Sequence, residues 1–384
     1  MKSGWVTKKL GEVCEIVYGF PFDSTLFTDK PVGLPVVRIR DVLRGYSKTY
    51  TIETCDAKYK IHPGDVLIGM DGDFNISTWK SSMALLNQRV CMLESGDKAT
   101  NCYLRYLLPN ILHDIWERKI FTTVRHLSAK DLNGISLPIP PIAEQKRIVT
   151  KIDTAFEKID KLKANAEKNL ANAKELFQSA LDEAMRPKQG WVEKRLGEVC
   201  EGKLSYGTSS PSCAYDSQIR YIRITDIDDN GKLLDDLVSP RQYEQKHVLE
   251  EGDVVFARTG ATVGKSYLYS HSDGKCVYAG YLIRARVNQS EVLPKFLFDF
   301  TKTSCYKHYI QVSQAAAAQP NVNAEKYGNL IIPLPPLREQ RQIIENIENV
   351  WEISLKLQQN YARQIADCVE MRQAILREAF EGRL

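Results

Sequence analysis

Residues 4–19 read GWVTKKLGEVCEIVYG and residues 190–207 read GWVEKRLGEVCEGKLSYG, so one GW-V-K-LGEVCE frame occurs twice, 186 positions apart. A second doubled stretch, LPIPPIAEQKRIV at 137–149 and IPLPPLREQRQII at 332–344, recurs at a spacing of 195. Two anchors repeated in the same order define an internal duplication, which sets the architecture before any local pattern is considered. The copies differ by nine residues between their anchors.

Weaker echoes join the anchors. VVRIRDV (36–42) matches YIRITDI (221–227), and PGDVLIGMDG (63–72) matches EGDVVFARTG (251–260). These are short, β-branched, alternating runs, the second pair closed by glycine, and they predict half-buried strands with tight turns. Residues 98–119 and 291–310 carry the wider apolar spacing of helices. Each copy is therefore expected to be a strand-rich α/β (α+β) globular unit.

After each Pro-Pro the pattern changes. From 144 to 184 there is no Pro or Gly, and Ile148, Ile152, Ala155, Ile159, Leu162, Ala166, Ala173, Leu176 and Ala180 form a heptad seam interrupted at Asn169. The second copy repeats it with Ile343, Ile347, Val350, Ser354, Leu357, Tyr361, Cys368, Met371 and Ile375, with Gln364 opposite the interruption. At about 1.5 Å per residue, roughly 40 residues make a helix of about 60 Å. Pro140-Pro141 and Pro335-Pro336 suit a first helical turn, and Glu144 and Glu339 suit the positive end of the helix dipole. Residues 186–190 (RPKQG) and Glu381-Gly382 are stop signals.

A lone amphipathic helix of this length must bury its seam, most economically against its twin. Antiparallel pairing is expected, because the globular unit inserted between the helices then spans only its own end of the pair. The result is a pseudo-two-fold molecule with a globular domain at either end and Leu384 returning towards Met1. The expected division is domain 1 at 1–139, a central helix at 140–186, domain 2 at 187–334 and a distal helix at 335–384.

Composition bounds the function. The 384 residues are 43% hydrophobic and 26% charged, with a net charge of +4. No apolar run approaches the ~18 residues of a membrane span, and the first residues lack an apolar signal core, so a cytoplasmic protein is expected. Nine scattered cysteines without a C-x-x-C pair read as reduced, mostly buried thiols rather than metal ligands. Residues 1–143 hold 18 basic and 15 acidic side chains and 187–337 hold 18 and 17, whereas 144–186 hold 9 and 8 and 338–384 hold 7 and 8. The small positive excess thus lies in the globular units.

The doubled G-W-x-x-x-x-L-G-E-V and P-P-x-x-E-Q-x-x-I, with R-T-G-A-T-V-G-K at 258–265 and Y-G-T-S at 206–209, resemble the specificity (S) subunit of Type I restriction-modification enzymes. The likeness runs over essentially the whole chain. It implies that each globular unit is a target recognition domain reading one half of a split sequence in double-stranded DNA, with the helices as spacer. It also implies two methyltransferase (M) subunits and restriction/motor (R) subunits as partners. S-adenosylmethionine, ATP and Mg²⁺ would be bound there, leaving no cofactor and no catalysis in this chain. A bipartite DNA site needs two readers at a set distance, which a rigid coiled coil provides. The low charge fits a subunit whose partners supply many of the phosphate contacts that dominate affinity.

Loop residues that differ between matched positions are the better candidates for base contacts, since two half-sites normally differ. Asp71, Asp73 and Asn75 lie in the loop that matches Arg258, Thr259, Thr262 and Lys265. Arg suits guanine, Asn and Gln suit adenine, and Asp accepts from cytosine. A second pair of loops precedes the Pro-Pro anchors and holds Thr122, Thr123, Arg125 and His126 in one copy, Gln319 and Asn321 in the other. His126 is equally readable as a satisfied surface residue. Tyr206, Thr208 and Ser209 follow the second GW anchor. Arg38, Arg40 and Arg223 stand on a predicted strand pair, where the matched Arg38 and Arg223 suit a phosphate or a structural Asp41 and Asp226.

Enzyme motifs are lacking. Gly260-Ala-Thr-Val-Gly264-Lys265-Ser266 has one residue too few between its glycines for a phosphate-cradling P-loop, and a strand rather than a helix is predicted after it. Both Pro-Pro pairs sit between aliphatic residues, which cannot hydrogen-bond a target amino group as an N/D-P-P-F/Y motif does. Rival expectations are the specificity module of another modification or phage-defence system, and a coiled-coil scaffold that binds no DNA.

Overall fold

A computed structural model of the chain describes residues 4–118, 125–314 and 321–384. The chain divides into two compact units, one of residues 1–165 with 364–384 and the other of residues 166–363.

In the first unit the strand Val6–Lys9 runs antiparallel to Ser136–Ile139, pairing Val6 with Ile139. The two anchors of this copy thereby meet. The strands Glu15–Tyr18, Val90–Glu94, Val66–Gly69 and Ile76–Thr78 form an antiparallel sheet in that order. A second sheet orders Tyr50–Thr51, Leu34–Val37, Ala84–Leu86 and Lys60–Ile61, with Leu34–Val37 parallel to Ala84–Leu86. The helix Lys98–Arg118 covers the first sheet, burying Tyr103, Leu104 and Leu108 with Ile68 and Leu93.

The second unit repeats the scheme. Val192–Arg195 pairs with Ile331–Leu334, and Ser205–Tyr206, Leu282–Ala285, Val254–Ala257 and Ser266–Leu268 form the matching sheet. Arg220–Ile222 lies parallel to Cys276–Tyr278, and Ser212–Ala214 pairs with Val238–Pro240. The Tyr-Gly of each opening anchor has a steric cause: a Cβ on Gly19 would stand 2.1 Å from the Asn87 carbonyl oxygen, and on Gly207 2.2 Å from that of Tyr278. Only glycine lets the chain pass so close to the strand end.

The long helices run Ile142–Ala184 and Leu337–Phe380. The carbonyls of Pro141 and Pro336 accept from Glu144 and Glu339 N–H, so these prolines cap the helices instead of lying inside them. The Gln of each E-Q pair is buried: Gln145 and Gln340 donate back to Pro140 and Pro335 at 2.9 Å, and Gln340 also bonds the Glu291 carbonyl and Leu293 N–H at 2.8 Å. Trp191 of the second GW donates to Glu339 at 3.1 Å.

Within the first unit the helix segments are antiparallel. Arg372 pairs with Asp160, while Arg147, near the start of one helix, donates to the Leu384 carbonyl at 2.7 Å beyond the end of the other. Leu384 packs on the core that also receives Trp5. Met1 lies outside the described residues. Within the second unit Ser354 donates to the Ala173 carbonyl at 2.7 Å and Phe177 meets Trp351 edge-on, again antiparallel.

Four expectations need correction. The seam is wider and shifted: Phe156 and Leu181 are buried, whereas Leu162, Leu176 and Met371 are 56%, 52% and 40% exposed. Each segment packs against its own globular core as well as the other helix, and a straight helix drifts from a strict seven-residue repeat. The strands expected at 36–42 and 221–227 end at Val37 and Ile222. Asp41 and Asp226 accept the N–H of Arg38 and Arg223, which turns the chain into a helix and a 3₁₀ turn. The helix expected at 291–310 is two, Pro294–Phe300 and Ser304–Gln314, because Thr303 Oγ1 accepts the Tyr306 N–H and starts a new one. Of nine cysteines only Cys14, Cys91, Cys276 and Cys368 are fully buried, and Cys305 is exposed.

Candidate nucleic-acid interface

In each unit two loops that are far apart in sequence meet beyond the end of an inner strand, Val66–Gly69 in the first and Val254–Ala257 in the second. In the first unit Leu127 N–H donates to the Met70 carbonyl at 2.7 Å and Gly72 N–H to the Arg125 carbonyl at 3.2 Å, setting Asp71 opposite His126. In the second, Val322 N–H donates to the Arg258 carbonyl at 2.9 Å, setting Thr259 opposite Asn321. Gly72 and Gly260 turn both loops with positive φ, +74° and +70°. A third segment joins each pair: Met70 N–H donates to the Arg89 carbonyl and Arg258 N–H to that of Tyr281.

On this shared backbone the side chains differ. Asp71 takes His126 Nδ1 at 2.6 Å on one carboxylate oxygen and Arg89 at 3.4 Å on the other. It therefore orients two donors and is not the open acceptor expected for a cytosine. Arg125 lies with its guanidinium 3.7 Å over Trp116. Asp73 is exposed and Asn75 half-buried. In the second unit Arg258 stacks on Tyr206 at 4.9 Å, and the Tyr206 hydroxyl accepts from Ala324 N–H. Among the described residues Arg258 Nε and Asn321 Oδ1 are buried without a hydrogen-bond partner. Buried polar atoms left unpaired are costly.

Several other candidates are occupied. Arg223 clasps Asp226 and Asp236, each at 2.7 Å, so its guanidinium serves the structural Asp. Lys265 reaches Asp229 at 2.9 Å and the Ile227 carbonyl. Thr262 donates to the Thr259 carbonyl, Thr208 Oγ1 accepts from Ser210 N–H, and Ser209 is exposed. Arg40 lies on the helix Ile39–Arg44 rather than a strand, and Arg38 immediately precedes that helix. Thr122, Thr123 and Gln319 lie outside the described residues. The sequence reading missed Arg89, Trp116 and Tyr281; extending the alignment of the copies through 87–90 and 279–282 would have exposed Arg89 against Tyr281.

A family profile described as the Type I restriction modification DNA specificity domain matches residues 2–171 and again 188–365. The chain belongs to this family. It carries the DNA specificity domain twice, and each match spans one globular domain and the larger part of the long helix that follows it. Among relatives, the Type I restriction enzyme EcoBI specificity subunit of Escherichia coli is 29% identical over 413 residues, covering all of this chain and 86% of the relative. The StySPI specificity subunit of Salmonella potsdam is 22% identical, covering all of this chain and 90% of the relative. The fold is that of the HsdS subunit from Thermoanaerobacter tengcongensis, with a TM-score of 0.65 at 22% identity over 100% and 98% of the two chains. A chain from a study of complex assembly and conformational transition in the type I R-M system gives 0.78 at 21%, over 100% and 99%. Two specificity domains on one chain account for the doubled loop meeting with unlike side chains.

Proposed function

We propose that this chain is the DNA-reading subunit of a Type I restriction-modification assembly, with 1–139 and 187–334 as target recognition domains and 140–186 and 335–384 as the spacer. The carrying observation is one backbone scaffold presenting Asp73, Asn75, Arg125 and His126 in one unit and Arg258, Thr259 and Asn321 in the other. Two readers of one design with different donors and acceptors suit the two unlike halves of a split site. Asp71, Arg223 and Lys265 support neighbouring groups.

Catalysis belongs to the partners. Two methyltransferase subunits would transfer the methyl group from S-adenosylmethionine to adenine, and motor-nuclease subunits would use ATP and Mg²⁺, all in the cytoplasm. No helix among the described residues is long and apolar enough to cross a membrane. The test is co-expression with the cognate methyltransferase followed by long-read mapping of methylated adenine. A single bipartite motif is expected; absence of site-specific methylation would sink the reading.

A further inference from the structure

The turn from the strand Leu34–Val37 into the helix Ile39–Arg44 gathers four cations, Arg38, Arg40, Arg44 and Lys48, around a hollow of ≈ 540 Å³. Two carboxylates share it. Asp41 is 3% exposed and engaged, accepting the Arg38 N–H at 3.1 Å with Arg44 at 3.7 Å, while Asp29 stands exposed. Positive charge is therefore in excess. Arg38 donates from Nη2 to Thr49 at 2.5 Å, but its Nε is buried without a partner among the described residues. Arg40 and Lys48, both exposed, form no ion pair among the described residues. Cations gathered this closely repel one another unless an anion joins them.

The hollow adjoins the recognition loops. Arg38 and Arg40 also line a second hollow of ≈ 290 Å³ with Asn87 and Arg89, and Arg89 is the group that pairs with Asp71. Among the described residues the second unit keeps the turn without the cluster of cations. Thr225 and Asp229 occupy the places of Arg40 and Arg44 in the same frame, and Arg223, the counterpart of Arg38, is closed by two aspartates.

We propose that this hollow seats a phosphate of the DNA backbone beside the half-site read by the first unit, and that the second unit has no equivalent seat, so the two half-sites are gripped unequally. The proposal rests on the DNA-reading function above. A phosphate offers several anionic oxygens to the guanidinium forks and the lysine ammonium, and carries no sequence information.

The full chain, assembled with its methyltransferase, is tested for binding to its target by phosphate-ethylation interference and by salt titration. Ethylation beside one half-site should block the wild type more strongly than at the matching position beside the other. Arg40→Gln/Lys48→Gln should remove that interference and lower the slope of log K against log salt by about one. The methylated motif should be unchanged, and Arg40→Lys/Lys48→Arg should retain the wild-type slope. Melting curves show whether each pair folds; were the glutamine pair to unfold, Lys48→Gln alone must still lower the slope relative to Lys48→Arg. Specific wild-type binding with an unaltered slope and footprint in the glutamine variants would overturn the seat alone. No specific binding by the wild type would overturn the DNA-reading function and the seat with it. Saturable binding of inorganic phosphate or ATP to the DNA-free chain, abolished in the glutamine pair, would assign the hollow to a free anion instead.

Discussion

Arg258, proposed above as a base reader, is held in place by its own neighbours. Tyr206 fixes the plane of its guanidinium, the Tyr206 ring is anchored through its hydroxyl to Ala324, and Asn321 lies across the loop bridge. Little conformational freedom then remains to be lost on binding. Arg258→Ala should relax the base preference within one half-site, at about 1–3 kcal/mol of discrimination, and leave the other half-site intact. Competition binding against single-base variants of both half-sites checks this. Asp71→Asn should also affect only one half-site, by releasing His126 and Arg89, and a variant with unaltered preference would show that their placement is independent of Asp71. At the same scale, Gln340→Ala leaves the Glu291 carbonyl, the Pro335 carbonyl and Leu293 N–H without their bonds. A loss of about 1–3 kcal/mol in denaturant unfolding is expected.

Helices and their breaks set the next scale. Thr301–Thr303 separates two short helices and leaves Lys302 half-buried over Phe298, 4.5 Å from the ring centroid. Burial holds its ammonium down to about 8, below the ordinary lysine value of 10.5. A base whose folded value is depressed contributes stability that is full above its unfolded value and lost as pH falls through the folded one. Wild-type stability relative to Lys302→Met should therefore rise between pH 8 and 10.5, by about 2–3 kcal/mol at most. Thermal melts of both proteins across that window measure the difference; parallel curves would refute the assignment. The heptad pattern accompanies long helices whose segments are antiparallel within each unit, but part of their buried face departs from it. Phe156 and Leu181 are recruited by the adjoining globular cores, which no helical repeat encodes.

At the scale of the molecule the first unit is discontinuous, since its core includes Cys368 and Ala379, with Ile375, Phe380 and Leu384 packed on it. Deleting residues 364–384 should expose that core and make residues 4–165 protease-sensitive, with the second unit left resistant. Limited proteolysis with mass mapping decides it, and equal sensitivity of both units would contradict the division. Replacing residues 1–136 with the matching part of another specificity subunit should change one half-site only, as read by methylation mapping. Alteration of both halves would refute independent readers.

Two anchors repeated at different spacings were enough to establish the duplication, the α/β units and the paired long helices, because those features depend on local periodicity and on chain order. The family was legible for the same reason. Loop meetings were not. That residues 70–72 lie against 125–127, and 258–259 against 321–322, rests on isolated bridges between segments distant in the chain, and Arg89 and Tyr281 join them through backbone bonds to Met70 and Arg258. Side-chain commitments were equally hidden: matched arginines, Arg38 and Arg223, have one aspartate in common, but Asp236 comes from a separate turn and closes only the second. Sequence determined the scaffold, since backbone structure follows pattern; tertiary structure decided which side chains remain free to meet DNA, since that depends on neighbours brought from elsewhere in the chain.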